Sequence, residues 1–185
     1  MTTNNYLIYG AGGHAKVLKD LIEKTNLEVY AFFDDSNQIS EIKGIEVRPY
    51  DASFAPGKLL VLGIGNSRVR KLLFEKVKHG YSILVHPDAV VASDAIIEEG
   101  TVVLAGAVIQ SGARIGKHVI INANVTIDHD AVVGDFVTTY PGVYVGAEVV
   151  IGEGAVINPN SVIMRFSEVP SYYEVGPTEV VDGKL

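Results

Sequence analysis

Residues 97–127 read "IEEGTVVLAGAVIQSGARIGKHVIINANVTI". Ile97, Val103, Ile109, Ile115, Ile121 and Ile127 stand six apart. Extended both ways, every sixth residue from Val85 to Ile163 is Val or Ile, except Thr139. The position four further along is small or β-branched, from Ala89, Ala95, Thr101 and Ala107 through to Ser161. Neither a 3.6-residue helical period nor strand alternation produces this pattern. A hexapeptide repeat does: each repeat gives one short strand and a turn, and three repeats make one triangular coil of a parallel β-helix. The aliphatic residue points inward, and the small residue leaves room at the corner. Stacked coils then bury a continuous core that one repeat could not bury alone. The spacing predicts this architecture over residues 83–165, with 166–185 as a C-terminal tail.

Residues 1–82 follow a different rule. "NYLIYG" (5–10), "LEVYAFFDD" (27–35) and "KLLVLGIG" (58–65) are strand signals ending in glycine or acid. Between them, Val17, Leu18, Leu21 and Ile22 recur at helical spacing, as do Val69, Leu72, Leu73 and Val77. Asn66 or Ser67 is the expected cap of the second helix, and Gly80 its stop. Alternating strands and helices predict a small parallel α/β sheet of Rossmann-like type. "HPD" (86–88) closes this half.

Composition excludes several function classes. The 15 basic residues against 22 acidic ones give a net charge of −7, a poor match for phosphate-rich nucleic acid. No cysteine is present, so disulfides, thiolate metal sites and a cysteine nucleophile are out. "MTTNNYLIYG" lacks the basic start and apolar run of a signal peptide. No stretch reaches the roughly 18–20 apolar residues of a membrane span. These features point to a cytoplasmic protein without membrane insertion.

"YGAGGHAK" (9–16) joins the first strand to the first helix. Gly10, Gly12 and Ala15 fit the spacing G-x-G-x-x-G/A, and amides at a helix start attract phosphate. Asp34 and Asp35 end the next strand, where a ribose hydroxyl is often held. Three readings stay open for the loop: a tight turn and nothing more, a dinucleotide site, or a site for one nucleotide. About 80 residues supply roughly one mononucleotide-binding half of a full dinucleotide fold, which counts against an NAD-dependent enzyme.

The combination carries a resemblance. A short α/β domain with "YGAGGHAKV", "FFDD" and "GIGNSRVRK", joined through "VHPDAVV" to hexapeptide repeats, resembles the sialic acid and nucleotide-sugar O-/N-acetyltransferase family over residues 5–163. The pattern is most similar to bacterial enzymes that acetylate UDP-4-amino sugars. The resemblance implies a left-handed β-helix, a homotrimer with sites in clefts between prisms, and acetyl-CoA as co-substrate. It implies sugar-nucleotide contacts at Gly12, Gly13, His14, Asp34, Asp35 and Gly65. The nucleotide would be UDP or dTDP. It places acyl-donor contacts at Thr138, Gly146 and Pro159. Thr138 stands where family members often carry a second histidine. The repeats also end a coil early, followed at once by "MRFSEVPSYYEVGPTEVV" (164–181).

"IDHDAV" (127–132) holds the candidate base. Ile127 points inward, so Asp128, His129 and Asp130 form the turn after it. An amino-sugar amine is protonated near neutral pH and must lose a proton before it attacks a thioester. Histidine titrates in that range and can accept the proton. The resemblance assigns His129 as base and Asp130 as its partner. A solvated polar turn is the plain alternative. His79, ending a helix, and His86 and His118, in turns, read as structural. His86, His118 and His129 occupy different positions in their turns, which argues against a shared metal. Asn122 and Asn124 read as a structural ladder. Three functions follow: N-acetylation of a nucleotide-linked amino sugar, O-acetylation of a sugar such as sialic acid, or a non-catalytic trimeric scaffold.

Overall fold

The structure is a computed structural model that describes residues 5–36 and 38–185. It divides into two compact units, Met1–Leu84 and Val85–Leu185.

The first unit is built on a sheet of five strands: β1 (Asn5–Tyr9), β2 (Glu28–Phe33), β3 (Glu41–Ile42), β4 (Ile45–Arg48) and β5 (Leu60–Leu62). Their order is β3-β4-β2-β1-β5. β1 pairs in parallel with β2 and β5, and β2 with β4. β3 is an antiparallel edge strand. Helices α1 (Gly13–Lys24) and α2 (Ser67–Lys76) connect them. Leu7, Ala31, Phe33 and Leu60 are buried in the core because strands covered on both faces must be apolar throughout.

Helix faces differ from the expected ones. In α1, Leu18, Leu21 and Ile22 are buried, but Val17 is 44% exposed. In α2, Val69 and Leu72 face outward, and the buried residues are Ser67 and Arg70. The Arg70 guanidinium donates to the carbonyls of Ile64 and Gly65, at 3.1 and 2.6 Å. A buried cation satisfied by a loop thus outweighs the apolar spacing. Asn66 is the α2 cap, accepting from the Val69 amide. The helix ends at Lys76, before the expected stop at Gly80. His79 therefore lies beyond the helix and is buried. Its Nε2 faces the Phe54 carbonyl at 2.9 Å and its Nδ1 the Tyr50 hydroxyl at 3.2 Å. A carbonyl only accepts, so Nε2 carries the proton and Nδ1 accepts from tyrosine.

The second unit is a parallel β-solenoid of two-residue strands in three sheets of six, five and six strands. Partners lie one coil apart, as in Val108↔Thr126 and Ile109↔Ile127. The inward aliphatics form one cluster, with Val103, Ile121, Ile127 and Ile157 each at 0% exposure. Thr139, which breaks the frame, is also fully buried, and its hydroxyl donates to the Ile120 carbonyl at 3.1 Å. That bond removes the cost of an unpaired polar group in the core.

The solenoid does not stop at residue 165. Glu168–Val169, Glu174–Val175 and Val180–Val181 add one more strand to each sheet. Residues 166–181 are a coil rather than a tail, and the expected early ending is corrected. Val169, Val175 and Val181 simply prolong the sixfold frame and are buried with it.

From Gly100 to Thr178, each turn has a residue in the left-handed region three places after the inward aliphatic. Gly106, Gly112 and Gly142 supply it without steric cost, while Asn124, Asp130 and Asn160 adopt φ of 57°. The two kinds are stacked. A Cβ on Gly112 would run into Asp130 Oδ1 one coil on, and one on Gly106 into Asn124 Oδ1. Glycine in one coil makes room for the polar turn residue of the next. Asn124 is thereby accounted for as scaffold.

Candidate active site

His129 lies in the turn leaving the strand Thr126–Ile127. Its Nδ1 is 2.8 Å from Asp130 Oδ2. An ionised carboxylate only accepts, so Nδ1 carries the proton and neutral His129 keeps its lone pair on Nε2. Nε2 has no hydrogen bond among the described residues, and the side chain is 51% exposed. On the other side, Asp128 Oδ1 accepts the His129 main-chain N–H at 2.7 Å. Tyr144 donates its hydroxyl to Asp128 Oδ2 at 2.8 Å. The bond to Asp130, with the charges of Asp128, Asp130 and Glu148 behind it, raises the His129 pKa above its usual range. Chemically this is an exposed imidazole with a fixed tautomer, held by a carboxylate, able to take a proton at Nε2.

Gly112 is the hidden member of this arrangement, because it leaves the space that Asp130 fills. Gly112→Ala forces Asp130 aside. Imidazole titration by NMR is then expected to move down, towards the ordinary histidine value. An unchanged midpoint would mean that Asp130 does not need that space.

In the first unit the glycine loop separates into two kinds of glycine. Gly10 has φ +115°, and a Cβ there would lie 2.8 Å from the Gly63 carbonyl. It serves the fold. Gly12, Gly13 and Gly65 are exposed, and a Cβ on any of them meets nothing within 4 Å. No packing demand requires glycine at those three places. Gly12 caps α1 with no side-chain hydrogen bond, and the first turn contains no acid, so the helix start offers uncompensated amides. His14 sits in that turn. Burial, then the charge of Arg70, lowers its pKa to about 4, so the ring is neutral near pH 7. Its Nε2 is buried without a hydrogen-bond partner among the described residues.

Asp34 and Asp35 are less available than the sequence suggests. Asp34 accepts from the amides of Ala11, at 2.9 Å, and Ser36, at 2.8 Å, tying the glycine loop to β2. Asp35 accepts from the Tyr50 amide, the Tyr9 hydroxyl and the Lys76 ammonium. Those bonds, Lys76 first, hold its carboxyl down at about 2. Both carboxylates build the loop's support. Tyr9, Tyr50 and Lys76 meet at Asp35 through folding alone, and no spacing in the chain points to them.

The three positions expected to contact the acyl donor lie in different local surroundings. Thr138 is a strand residue at 2% exposure. Gly146 is required by packing, since a Cβ there would lie 2.7 Å from the Arg165 amide. Pro159 lies in the turn after Val156–Ile157, where its carbonyl accepts from the Thr178 amide at 2.9 Å. His118 is buried at 1% and stacked on Phe136, with centroids 5.6 Å apart. His86 Nδ1 accepts from the Asp88 amide at 3.0 Å. Among the described residues no group of three His, Asp or Glu side chains could hold a metal ion. No described helix is long and apolar enough to cross a membrane.

Two family models match the chain: the PglD N-terminal domain over residues 5–77, and the bacterial transferase hexapeptide (six repeats) over 94–129 and 130–165. UDP-N-acetylbacillosamine N-acetyltransferase of Bacillus subtilis is 35% identical over 98 residues, 48% of this chain and 45% of that protein. The chain thus spans less than half the length of that relative. A histidine-to-asparagine mutant of perosamine N-acetyltransferase from Caulobacter crescentus, solved with CoA and GDP-perosamine, is 27% identical with a TM-score of 0.92. It covers 98% of this chain and 90% of its own. The acetyltransferase domain of PglB from Neisseria gonorrhoeae is 29% identical with a TM-score of 0.72, covering 97% and 94%.

Proposed function

Because the chain belongs to the PglD-like family of hexapeptide-repeat acetyltransferases, we propose that it transfers the acetyl group of acetyl-CoA to the amine of a nucleotide-linked amino sugar. The observation that carries this reading is the exposed His129, with its proton on Nδ1 held by Asp130 and Nε2 open. The amine gives its first proton to solvent, and Nε2 takes a second from the nitrogen as the neutral amine attacks the thioester carbonyl. The C–N bond forms, the C–S bond breaks, and the proton passes on to the leaving thiolate of CoA. Neither a covalent enzyme intermediate nor a cysteine is needed. Binding of CoA and GDP-perosamine by one relative, and the UDP-sugar named for another, support a nucleoside-diphosphate sugar. GDP thus joins UDP and dTDP among the nucleotides to be tried.

The sugar nucleotide is proposed to sit at Gly12, Gly13, His14 and Gly65, with the diphosphate on the open amides of α1. Asp34 and Asp35 keep that loop in shape. Gly12→Val tests this. Its φ of −84° suits an L-residue and its Cβ meets open space, so melting is expected to stay within about 2 °C. KM for the nucleotide sugar is expected to rise about tenfold or more, through a blocked approach worth about 1.4 kcal/mol. An unchanged KM places the nucleotide elsewhere.

The reading also includes a homotrimer. Ile96, Val132 and Val150 lie in one sheet and are 43%, 38% and 45% exposed, with Arg114 between the first two, a mostly apolar face suited to cover by another chain. Light scattering on the purified protein tests it, and a monomer would count against a site shared between chains.

The deciding assay incubates the protein with acetyl-CoA and a panel of UDP-, GDP- and dTDP-linked amino sugars. CoA release is followed with a thiol reagent, against which the cysteine-free protein is silent. Release with at least one amino sugar is expected. Release with hydroxyl acceptors instead supports O-acetylation, and none at all supports a scaffold.

A further inference from the structure

We propose that Tyr144 positions His129, acting through the carboxylate of Asp128. The proposal rests on the reading of His129 as the base. Tyr144 opens the strand Tyr144–Val145 and pairs in register with Thr126, one coil earlier. Thr126 leads through Ile127 directly into the Asp128–His129–Asp130 turn. The outward side chain of Tyr144 therefore stands beside that turn. Its hydroxyl donates to one oxygen of Asp128, and the other oxygen accepts the main-chain N–H of His129. Asp130 takes the ring and Asp128 the main chain, so two carboxylates hold one histidine from two sides.

Exposure explains the need for such a clamp. A side chain that is 51% exposed has too few packed neighbours to fix it, so hydrogen bonds must set its direction. The scaffold does not call for tyrosine here. The equivalent outward positions of the same sheet are Val90, Val108, Thr126, Val162 and Val180. The chemistry of the pair also fits. The His129 amide, then the Tyr144 hydroxyl, keeps Asp128 below the usual carboxylate range. The Tyr144 phenol is raised in return, so it remains a donor at neutral pH. The charged groups facing His129 are Asp128 and Asp130 of its own turn and Glu148 of the next coil. Tyr144 controls the first of these three.

The test compares wild type, Tyr144→Phe, Asp128→Asn, Asp128→Ala and a double variant. Tyr144→Phe is expected to lower kcat about three- to tenfold, the worth of one ordinary hydrogen bond. KM for acetyl-CoA and for the acceptor should stay constant, as should the melting temperature. On an Asp128→Ala background, the one used for the double variant, the same substitution should add nothing, because no acceptor is left for the hydroxyl to act through. An unchanged kcat, or a full effect on that background, overturns the proposal. A second readout needs no turnover: titration of the His129 imidazole by NMR. The midpoint should fall in Asp128→Asn, which loses a negative neighbour. It should fall less in Tyr144→Phe, where the released carboxylate turns towards solvent. If the wild type acetylates none of the acceptors, the reading of His129 as base fails. The titration then judges the Tyr144–Asp128–His129 coupling alone, and equal midpoints in wild type and Tyr144→Phe overturn it.

Discussion

His129→Ala is expected to lower kcat for acetyl transfer by about two to four orders of magnitude, the usual worth of a positioned general base. Stability should hardly change, since the side chain is half exposed and packs little. Asp130 cannot take over the role. Its carboxyl sits at the turn's left-handed position, engaged with Nδ1 rather than Nε2. The remaining rate should then be insensitive to pH between about 5 and 8, because histidine is the ordinary side chain that titrates there. In the wild type the base must be neutral to act. Activity is therefore expected to rise with pH through a midpoint above the usual histidine value, as the bond to Asp130 raises the pKa. Asp130→Asn should move that limb towards lower pH and slow the reaction, because the ring loses both its charge partner and its fixed tautomer. A fully active His129→Ala protein would sink the proposed chemistry.

Val175→Asp is expected to give the largest loss of stability. Val175 is fully buried in the last complete coil, and its carbonyl accepts from the amide and side chain of Asn158. An unpaired carboxylate in that apolar channel costs about 3 kcal/mol or more. For a chain of this size that is a fall of about 6–12 °C in melting temperature. Val175→Ala should cost about 2 kcal/mol, chiefly as lost apolar burial. In a stacked solenoid each coil contacts only its neighbours. The damage should therefore begin at the C-terminal end, read as faster amide exchange at Val169, Val175 and Val181 before the rest of the unit. A loose tail at residues 166–185 would tolerate both substitutions without any change in melting or exchange.

The contrast between these two sites shows what was legible in the chain. The solenoid announced itself because its rule is local: a core made of identical coils needs the same residue type every six positions. That rule also contained Val169, Val175 and Val181, and following the frame past Ile163 would have found the last coil. The divergent polar residues between them, such as Arg165, Glu168 and Glu174, masked it. The base was legible for the same reason, since the frame fixes Ile127 inward and puts His129 in the turn. The helix faces of the first unit were harder. Arg70 is buried because the carbonyls of Ile64 and Gly65 receive it, and no spacing rule contains that information.

By itself the sequence determined the repeat, the division into two units, the glycine loop and the turn that carries His129. All of these depend on neighbours within one repeat or one strand-turn-helix unit. Tertiary structure alone decided which carboxylates remain open. Asp34 and Asp35 are neighbours in the chain, and folding brings them hydrogen bonds from Ala11, Tyr9, Tyr50 and Lys76. It also decided that Gly112 makes room for Asp130 and that Tyr144 reaches Asp128. Those contacts join residues 15 to 41 positions apart, and only the closing of a coil or a sheet brings such residues within the reach of a hydrogen bond.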